Sequence, residues 1–232
     1  MGLELIISLI SLIALEAVLG IDNVIFLSIL AGKLPQHQQK KARRLGLILA
    51  AVLRLILLSL IAIIIKLDDE LFSVFSHGFS GKDLVLIAGG FFLIYKSTKE
   101  IHHKMEGSET ETTTKSKADT FAQVIVQILI MDVVFSIDSI VTAIGMVREV
   151  WVMYTAVIST LIIMLLASGS ISAFVEKHPA FKMLALSFLL LIGFSLVAEG
   201  CGVAIPKGYI YFSMAFAFLV DILQMRMNRK KH

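Results

Sequence analysis

Two stretches of the sequence place carboxylates inside long apolar runs, Leu15–Asn23 (LEAVLGIDN) and Met131–Ser139 (MDVVFSIDS). Each contains an acid followed six positions later by an aspartate. The two pairs are Glu16 with Asp22, and Asp132 with Asp138. An ionisable side chain in the middle of a bilayer costs roughly 2.5–3.5 kcal/mol on insertion scales, so such residues are rare there and usually functional. A repeated pair of buried acids therefore indicates a binding site within the membrane.

The chemistry that these stretches offer is binding of a hard cation by oxygen. Besides the carboxylates, the second stretch and its flank supply the hydroxyls of Ser136, Ser139 and Thr142, and the first supplies the amide of Asn23. Oxygen ligands suit Mg²⁺, Ca²⁺ and Mn²⁺, and an octahedral oxygen site is typical of Mn²⁺ or Mg²⁺. Neither stretch contains histidine or cysteine, which argues against zinc and copper.

One cation lies deep in an apolar run, Arg54. Four acids against one arginine leave up to three negative charges, which bound cations or protons must compensate. The alternative is structural: some of the acids pair with Arg54 or stay protonated, and only hold helices together.

The spacing within each pair leaves two geometries open. On an unbroken α-helix, six residues advance the chain by about 9 Å and about 240°, so the two acids would not share a face. Either the helices unwind near Gly20 and Ser136 and bring the acids to one point, or the acids form separate layers along a pathway.

The elements that must position these residues are membrane-spanning helices. Of 232 residues, 57% are hydrophobic and only 17% are charged, which excludes an ordinary soluble domain. Apolar runs reach about 20 residues, enough to cross a hydrocarbon core of about 30 Å. The sequence predicts an all-α, polytopic membrane helix bundle with about seven spans: Leu3–Leu30, Leu45–Ile65, Leu84–Tyr95, Phe121–Val147, Trp151–Val175, Phe181–Val197 and Tyr209–Gln224. The first run lacks a basic leader and a small-residue cleavage site, so we expect a span rather than a signal peptide.

Charge segregation predicts the orientation of these spans. Sixteen of the 21 lysines and arginines fall on one side of the predicted bundle, whereas the other side carries four of them together with acidic residues 68–70. Because basic residues concentrate in cytoplasmic connections, the N-terminus is predicted outside and the C-terminus in the cytoplasm. The regular alternation of basic connections with apolar spans also argues against nucleic-acid binding.

Three crossings separate the two acid stretches, so their helices run in opposite directions, which is typical of an inverted-topology repeat. Spans one to three would match spans four to six, with a seventh helix added. The predicted division is residues 1–103 for the first repeat, 104–120 for a polar flexible cytoplasmic linker, 121–200 for the second repeat, and 201–232 for the seventh helix and a basic tail.

Two weaker site candidates complete the set. Gln127, one turn after Gln123, either lines a cytoplasmic approach or hydrogen-bonds to a neighbouring helix. Glu199 either closes an outer mouth or is an ordinary exposed carboxylate at the end of a span. The single cysteine, Cys201, excludes an internal disulfide and a thiolate cluster.

The two acid stretches, each opening one half of a seven-span bundle, resemble the TerC family of bacterial integral membrane proteins, within the larger LysE-like transporter superfamily. Leu34-Pro35 with Ala42-Arg43-Arg44, and the segments 192–200 and 205–209, strengthen the resemblance, which covers nearly the whole chain in a short form without appended soluble modules. The family is associated by name with tellurite resistance, and better-defined members with Mn²⁺ export. The metal ligands that the resemblance implies are Glu16, Asp22, Asn23, Asp132, Asp138 and Ser139.

The leading hypothesis is a transporter of the bacterial inner membrane that exports Mn²⁺, or else Ca²⁺ or Mg²⁺, by exchange with protons. No nucleotide-binding loop is present, and no prosthetic group is expected. The alternatives are a metallochaperone or scaffold beside the secretion machinery and, third, an intramembrane hydrolase with paired aspartates. The inverted repeat favours transport over the hydrolase, so we expect no enzymatic activity. A homo-oligomer remains open.

Overall fold

The computed structural model describes residues 2–60, 70–74, 77–106, 120–147, 149–203 and 205–229. Within those ranges the chain forms seven helices and one short hairpin. The helices are α1 Gly2–Ala31, α2 Gln36–Ser59, α3 Gly81–Glu106, α4 Phe121–Met146, α5 Val150–Lys177, α6 Pro179–Gly200 and α7 Lys207–Arg229. Most of the predicted linker, residues 107–119, lies outside the described residues, as does the end of the predicted second span.

Several helices extend beyond the predicted spans, because an apolar run marks the part of a helix suited to lipid and not where the helix ends. The third span was predicted as Leu84–Tyr95, whereas α3 continues into polar sequence, where the buried Glu100 pairs with Lys33. At the start of α4, Thr120 and Gln123 form a reciprocal capping box, with Thr120 N 2.8 Å from Gln123 Oε1. Gln123 therefore lies in the first turn of α4, and its place in a cytoplasmic approach stays a prediction.

A two-stranded antiparallel hairpin departs from the all-α prediction. Strands β1 (Glu70–Val74) and β2 (His77–Ser80) pair between α2 and α3. The stacked rings of Phe72 and Phe79, 5.5 Å apart, hold its register. Asp83 Oδ2 then accepts hydrogen bonds from both the amide and the hydroxyl of Ser80, which fixes the entry into α3.

The outside of the bundle is apolar, as a lipid-facing surface must be. Large hydrophobic side chains are exposed along several helices, including Ile10, Phe91, Leu166 and Phe212. By length and composition alone, three helical segments could cross a membrane: Glu4–Ala31, Val150–Lys177 and Pro179–Gly200. Helix α4 contributes a shorter apolar stretch, Phe121–Ile137. The helix-bundle class is thus supported, and the count of seven spans stays a prediction.

The principal helix contacts join the first three helices to the next three. Helix α3 packs chiefly against α6, α1 against α5, and α2 against α4. Helices α3 and α6 approach closely at Gly90 and Gly193: a Cβ on Gly90 would lie 2.6 Å from the Gly193 carbonyl oxygen, and one on Gly193 would lie 3.0 Å from that of Gly90. Small residues at such a crossing allow two backbones to meet.

Candidate functional site

The two helices that carry the acids are continuous. Helix α1 runs without a break through Gly20, and α4 through Ser136, so the unwinding considered from the sequence is absent from both. A Cβ at Gly20 would meet the flexible end of the Met164 side chain on α5, which would have to move. Positions 16 and 22 consequently lie in different layers of α1, as do 132 and 138 in α4.

Arg54 joins the acids of the two helices. Its Nη1 donates to Glu16 Oε2 at 2.6 Å, its Nη2 to Asp132 Oδ1 at 2.9 Å and its Nε to Ser136 Oγ at 3.0 Å. The hydroxyl of Ser136 donates onward to Asp132 Oδ2 at 3.1 Å. One guanidinium thus binds side chains of both α1 and α4. We call Glu16, Arg54, Asp132 and Ser136 the arginine network.

This network is buried and carries more negative than positive charge. Glu16 is 3% exposed, Asp132 7% and Arg54 8%. With both acids ionised, two carboxylates face one guanidinium and leave a net charge of −1. Two of the four acids therefore have the pairing with Arg54 that the structural alternative anticipates. Burial of such groups is tolerated because each has a charged partner and good hydrogen-bond geometry.

Two cavities adjoin the arginine network. The first lies among α1, α2, α4 and α5, and its wall includes Asp132 and Thr160. The second lies among α1, α2, α4, α6 and α7, and its wall includes Ser139 and Lys207. Asn23 and Arg54 line both cavities.

The two cavities share Asn23 and Arg54 but have different walls. The α1 residues of the first cavity are in the second half of that helix, and its α2 and α5 residues lie near the middle of theirs. The second cavity reaches the first turn of α7, toward the α6–α7 connection. Arg54 and Asn23 thus form part of a partition between the two spaces.

The sequence that forms this buried acid network inside apolar helices matches a known protein family. The family described as "Integral membrane protein TerC family" matches residues 1–232. The chain belongs to the TerC family. It is accordingly an integral membrane protein that resides in a lipid bilayer, and the recognition made from the acid stretches is confirmed.

Relatives cover nearly the whole of this TerC family chain. It is 48% identical over 220 residues to the UPF0053 inner membrane protein YgdQ of Escherichia coli K12, covering 95% of this chain and 92% of the relative. It is 46% identical over 223 residues to a UPF0053 protein of Haemophilus influenzae, covering 96% and 94%. The E. coli K12 protein YegH is 47% identical over 225 residues, 96% of this chain but 43% of that relative. No solved structure matches the chain.

Some of the metal ligands that the TerC resemblance implies lie in the arginine network or line the two cavities. Glu16 and Asp132 belong to the arginine network, and Asn23 lines both cavities. Ser139 lines the second cavity, and its hydroxyl donates to the Ser136 carbonyl at 3.2 Å. The side chains of Asp22, Asp138 and Thr142 lie outside the described part of the chain, so their proposed roles stay predictions.

The two weaker candidates lie away from both cavities. Gln127 is half-buried on α4, and its Oε1 is buried with no hydrogen-bond partner among the described residues. Glu199 is half-buried, one residue before the end of α6. Neither residue lines the first or the second cavity. Among side chains that the structure describes, no group of three or more His, Cys, Asp or Glu is arranged to hold a metal ion.

No pattern in the sequence indicated that Thr160 and Lys207 would line the cavities. Thr160 is one hydroxyl in an apolar helix, and its hydroxyl oxygen has no hydrogen-bond partner within the described ranges. Lys207 was counted only as a charge in a connection, whereas it starts α7 beside the second cavity. For both residues, only the packing of the helices shows that they line a cavity.

Proposed function

We propose that this chain is a transporter of the bacterial inner membrane that exports a divalent cation, with Mn²⁺ as the first candidate substrate, in exchange for protons. One observation carries the proposal: a buried network of two acids and one arginine lies at a partition between two cavities. The name of the relative YgdQ, an inner membrane protein, supports the proposed location.

The charge of the site favours a cation as the substrate. The arginine network retains a net negative charge when its acids are ionised. Asp22 and Asp138 add two further carboxylates to the same helices. The proposed ligands are Glu16, Asp22, Asn23, Asp132, Asp138 and Ser139, whose oxygens suit Mn²⁺, Mg²⁺ or Ca²⁺.

Arg54 gives the site a cation of its own. A divalent ion that binds Glu16 and Asp132 must displace the guanidinium or share the carboxylates with it. When the ion leaves, Arg54 can pair with both acids again, which avoids leaving them buried and unpaired. The arginine thereby lowers the cost of the empty site and limits how tightly a cation is held.

Helix packing supports an alternating mechanism. The first three helices can be matched in order to the next three, α1 to α4, α2 to α5 and α3 to α6. Under this matching, the contact of α1 with α5 corresponds to that of α2 with α4, and the contact of α3 with α6 corresponds to itself. An inverted repeat produces this pattern, and rocking of one repeat against the other would open the two cavities in turn. The reciprocal contact of Gly90 with Gly193 provides a pivot for that movement.

Exchange with protons follows from the same charge excess. Closely spaced carboxylates cannot all ionise cheaply without a compensating cation, so protons and metal compete for them. Export of a metal ion then coincides with the return of protons to the acids.

Purified protein in proteoliposomes tests the proposal. We expect uptake of Mn²⁺ above that of Ca²⁺, Mg²⁺ and Zn²⁺, with a flux that rises when a pH gradient is imposed and the membrane potential is clamped. Empty liposomes are the control. A cation flux that stays the same when the pH gradient is imposed would exclude proton exchange. Mn²⁺ binding without flux for any ion would favour the scaffold or metallochaperone hypothesis.

A further inference from the structure

Charged side chains from several elements meet at one end of the bundle, outside both cavities. Lys33, in the connection between α1 and α2, pairs with the buried Glu100 of α3. Arg43 of α2 pairs with Glu176 near the end of α5, with Arg43 Nη1 3.6 Å from Glu176 Oε1. Lys182 of α6 is half-buried, and the charges of both glutamates attract it. None of these residues lines the first or the second cavity.

This group of side chains holds more positive than negative charge. Lys104, near the end of α3, has the largest effect on Lys182 of any charged neighbour and repels it, as does Lys33. Neither Lys104 nor Lys182 makes an ion pair within the described ranges, whereas each glutamate already has a cation of its own. With all groups ionised, four positive and two negative charges leave a net charge of +2. We call these residues the basic cluster: Lys33, Arg43, Glu100, Lys104, Glu176 and Lys182.

The basic cluster lies at the end of the helices and beside exposed apolar surface. Lys182 is the fourth residue of α6, a helix long and apolar enough to cross a membrane. Met105, which follows Lys104, is 69% exposed, and Phe174, two residues before Glu176, is 36% exposed. Lysines near the ends of spanning helices extend their ammonium groups toward the lipid head groups. An anion bound to the cluster would thus have apolar surface next to it.

We propose that the basic cluster binds the phosphate group of an anionic phospholipid, with Lys104 and Lys182 as its principal ligands. The inference is independent of the proposed transport function, because it concerns the surface between the protein and the lipid. Like charges held together in partly buried positions repel each other, and a phosphate between them compensates that repulsion. Both ammonium groups can donate hydrogen bonds to phosphate oxygens, and such bonds between charged groups are strong.

A phospholipid suits this position better than free phosphate does. Its acyl chains would lie against the exposed apolar side chains, such as Met105, while its phosphate reaches the lysines. The charge distribution predicts that this end of the bundle is cytoplasmic, and the cytoplasmic leaflet attracts basic residues because it carries anionic lipids. Basic pockets between membrane helices on that side are known to bind phosphate head groups.

Melting of delipidated protein in detergent, with phosphatidylglycerol added, tests the proposal. We expect phosphatidylglycerol to raise the wild-type melting temperature more than phosphatidylcholine, whose head group carries no net charge. Lys104→Gln and Lys182→Gln should each raise the phosphatidylglycerol concentration at half of the maximal shift about fivefold, the effect of one lysine near an anionic lipid surface. Lys104→Arg keeps the positive charge and should respond like wild type.

Lys99→Gln is the matched control for Lys104→Gln. Lys99 is exposed on the same helix, its Nζ lies 5.9 Å from the centroid of the Tyr95 ring, and it is outside the basic cluster. This variant removes the same formal charge and should respond to phosphatidylglycerol as wild type does. Without lipid, Lys104→Gln should melt close to the wild-type temperature, because it removes a charge that repels Lys182 and breaks no ion pair.

An unchanged response to phosphatidylglycerol in the double variant Lys104→Gln, Lys182→Gln would overturn the site. An equal loss of response in Lys99→Gln would also overturn it, since general charge attraction would then be responsible. Inorganic phosphate at the same concentration tests the other source of this chemistry, and stabilisation as large as that by phosphatidylglycerol would overturn the lipid as the ligand. If the chain transports no cation but the double variant loses the lipid response, the proposed function fails and the lipid site stands.

Discussion

Removing the charge of Arg54 is the sharpest test of the arginine network. Arg54→Gln deletes the guanidinium that donates to Glu16, Asp132 and Ser136, and leaves two carboxylates buried without a charged partner. Breaking a buried ion pair by removing one partner costs about 3–5 kcal/mol. In a chain of this size, 1 kcal/mol corresponds to roughly 2–4 °C, so the melting temperature should fall by roughly 6–20 °C.

Arg43→Gln is the matched control for this variant. Arg43 lies on the same helix, and its Nη1 is 3.6 Å from Glu176 Oε1, in a pair whose glutamate is 48% exposed. Exposed pairs contribute about 0–1 kcal/mol, so this variant should melt within a few degrees of wild type.

The acid side of the network gives an independent check. Glu16→Gln leaves Arg54 paired with Asp132, and the glutamine oxygen can still accept from the guanidinium. It should cost only about 1 kcal/mol. The triple variant Arg54→Gln, Glu16→Gln, Asp132→Asn carries no buried charge in the network and should recover part of the stability lost by Arg54→Gln alone.

Melting of detergent-purified protein, followed by fluorescence at fixed pH and without metal, measures all of these variants. The reasoning would be refuted if Arg54→Gln melted with Arg43→Gln near the wild-type temperature. It would also be refuted if the triple variant were less stable than Arg54→Gln, because removing unpaired charge would then give no benefit.

Three further predictions concern transport, topology and packing. Asp22→Asn and Asp138→Asn should each abolish Mn²⁺ flux and the stabilisation by Mn²⁺ while leaving the protein folded, and loss of folding would instead support a purely structural role. In a Cys201→Ser background, Thr113→Cys should resist an impermeant thiol reagent in intact cells, since the linker is predicted to be cytoplasmic, and ready labelling would contradict that topology. Gly90→Ala should destabilise the protein by about 1–3 kcal/mol because its Cβ would lie 2.6 Å from a backbone oxygen of α6, whereas Gly169→Ala, in open space on α5, should be neutral or stabilising in the same melting assay.

The sequence alone was enough to predict the family, the helical class, and the acids and arginine of the site. Long apolar runs leave a backbone no option but helix in lipid, so the helices could be placed although their ends could not. The acids and Arg54 stood out because charged residues are costly in such runs. These inferences need only composition and spacing along one element at a time.

The tertiary structure decided which of these groups meet. Arg54 lies between Glu16 and Asp132 because α2 packs against α4 and also contacts α1, and no spacing within α2 determines those neighbours. Gly20 suggested a point of unwinding, whereas α1 is continuous there and the side chain of Met164 from α5 packs against it. Thr160 gave no signal, because one hydroxyl in an apolar helix is ordinary, and only the packing of α5 brings this residue to the wall of the first cavity. The sequence thus determines the free energy that burying each polar or charged group costs. Contacts between helices determine which partners compensate that free energy.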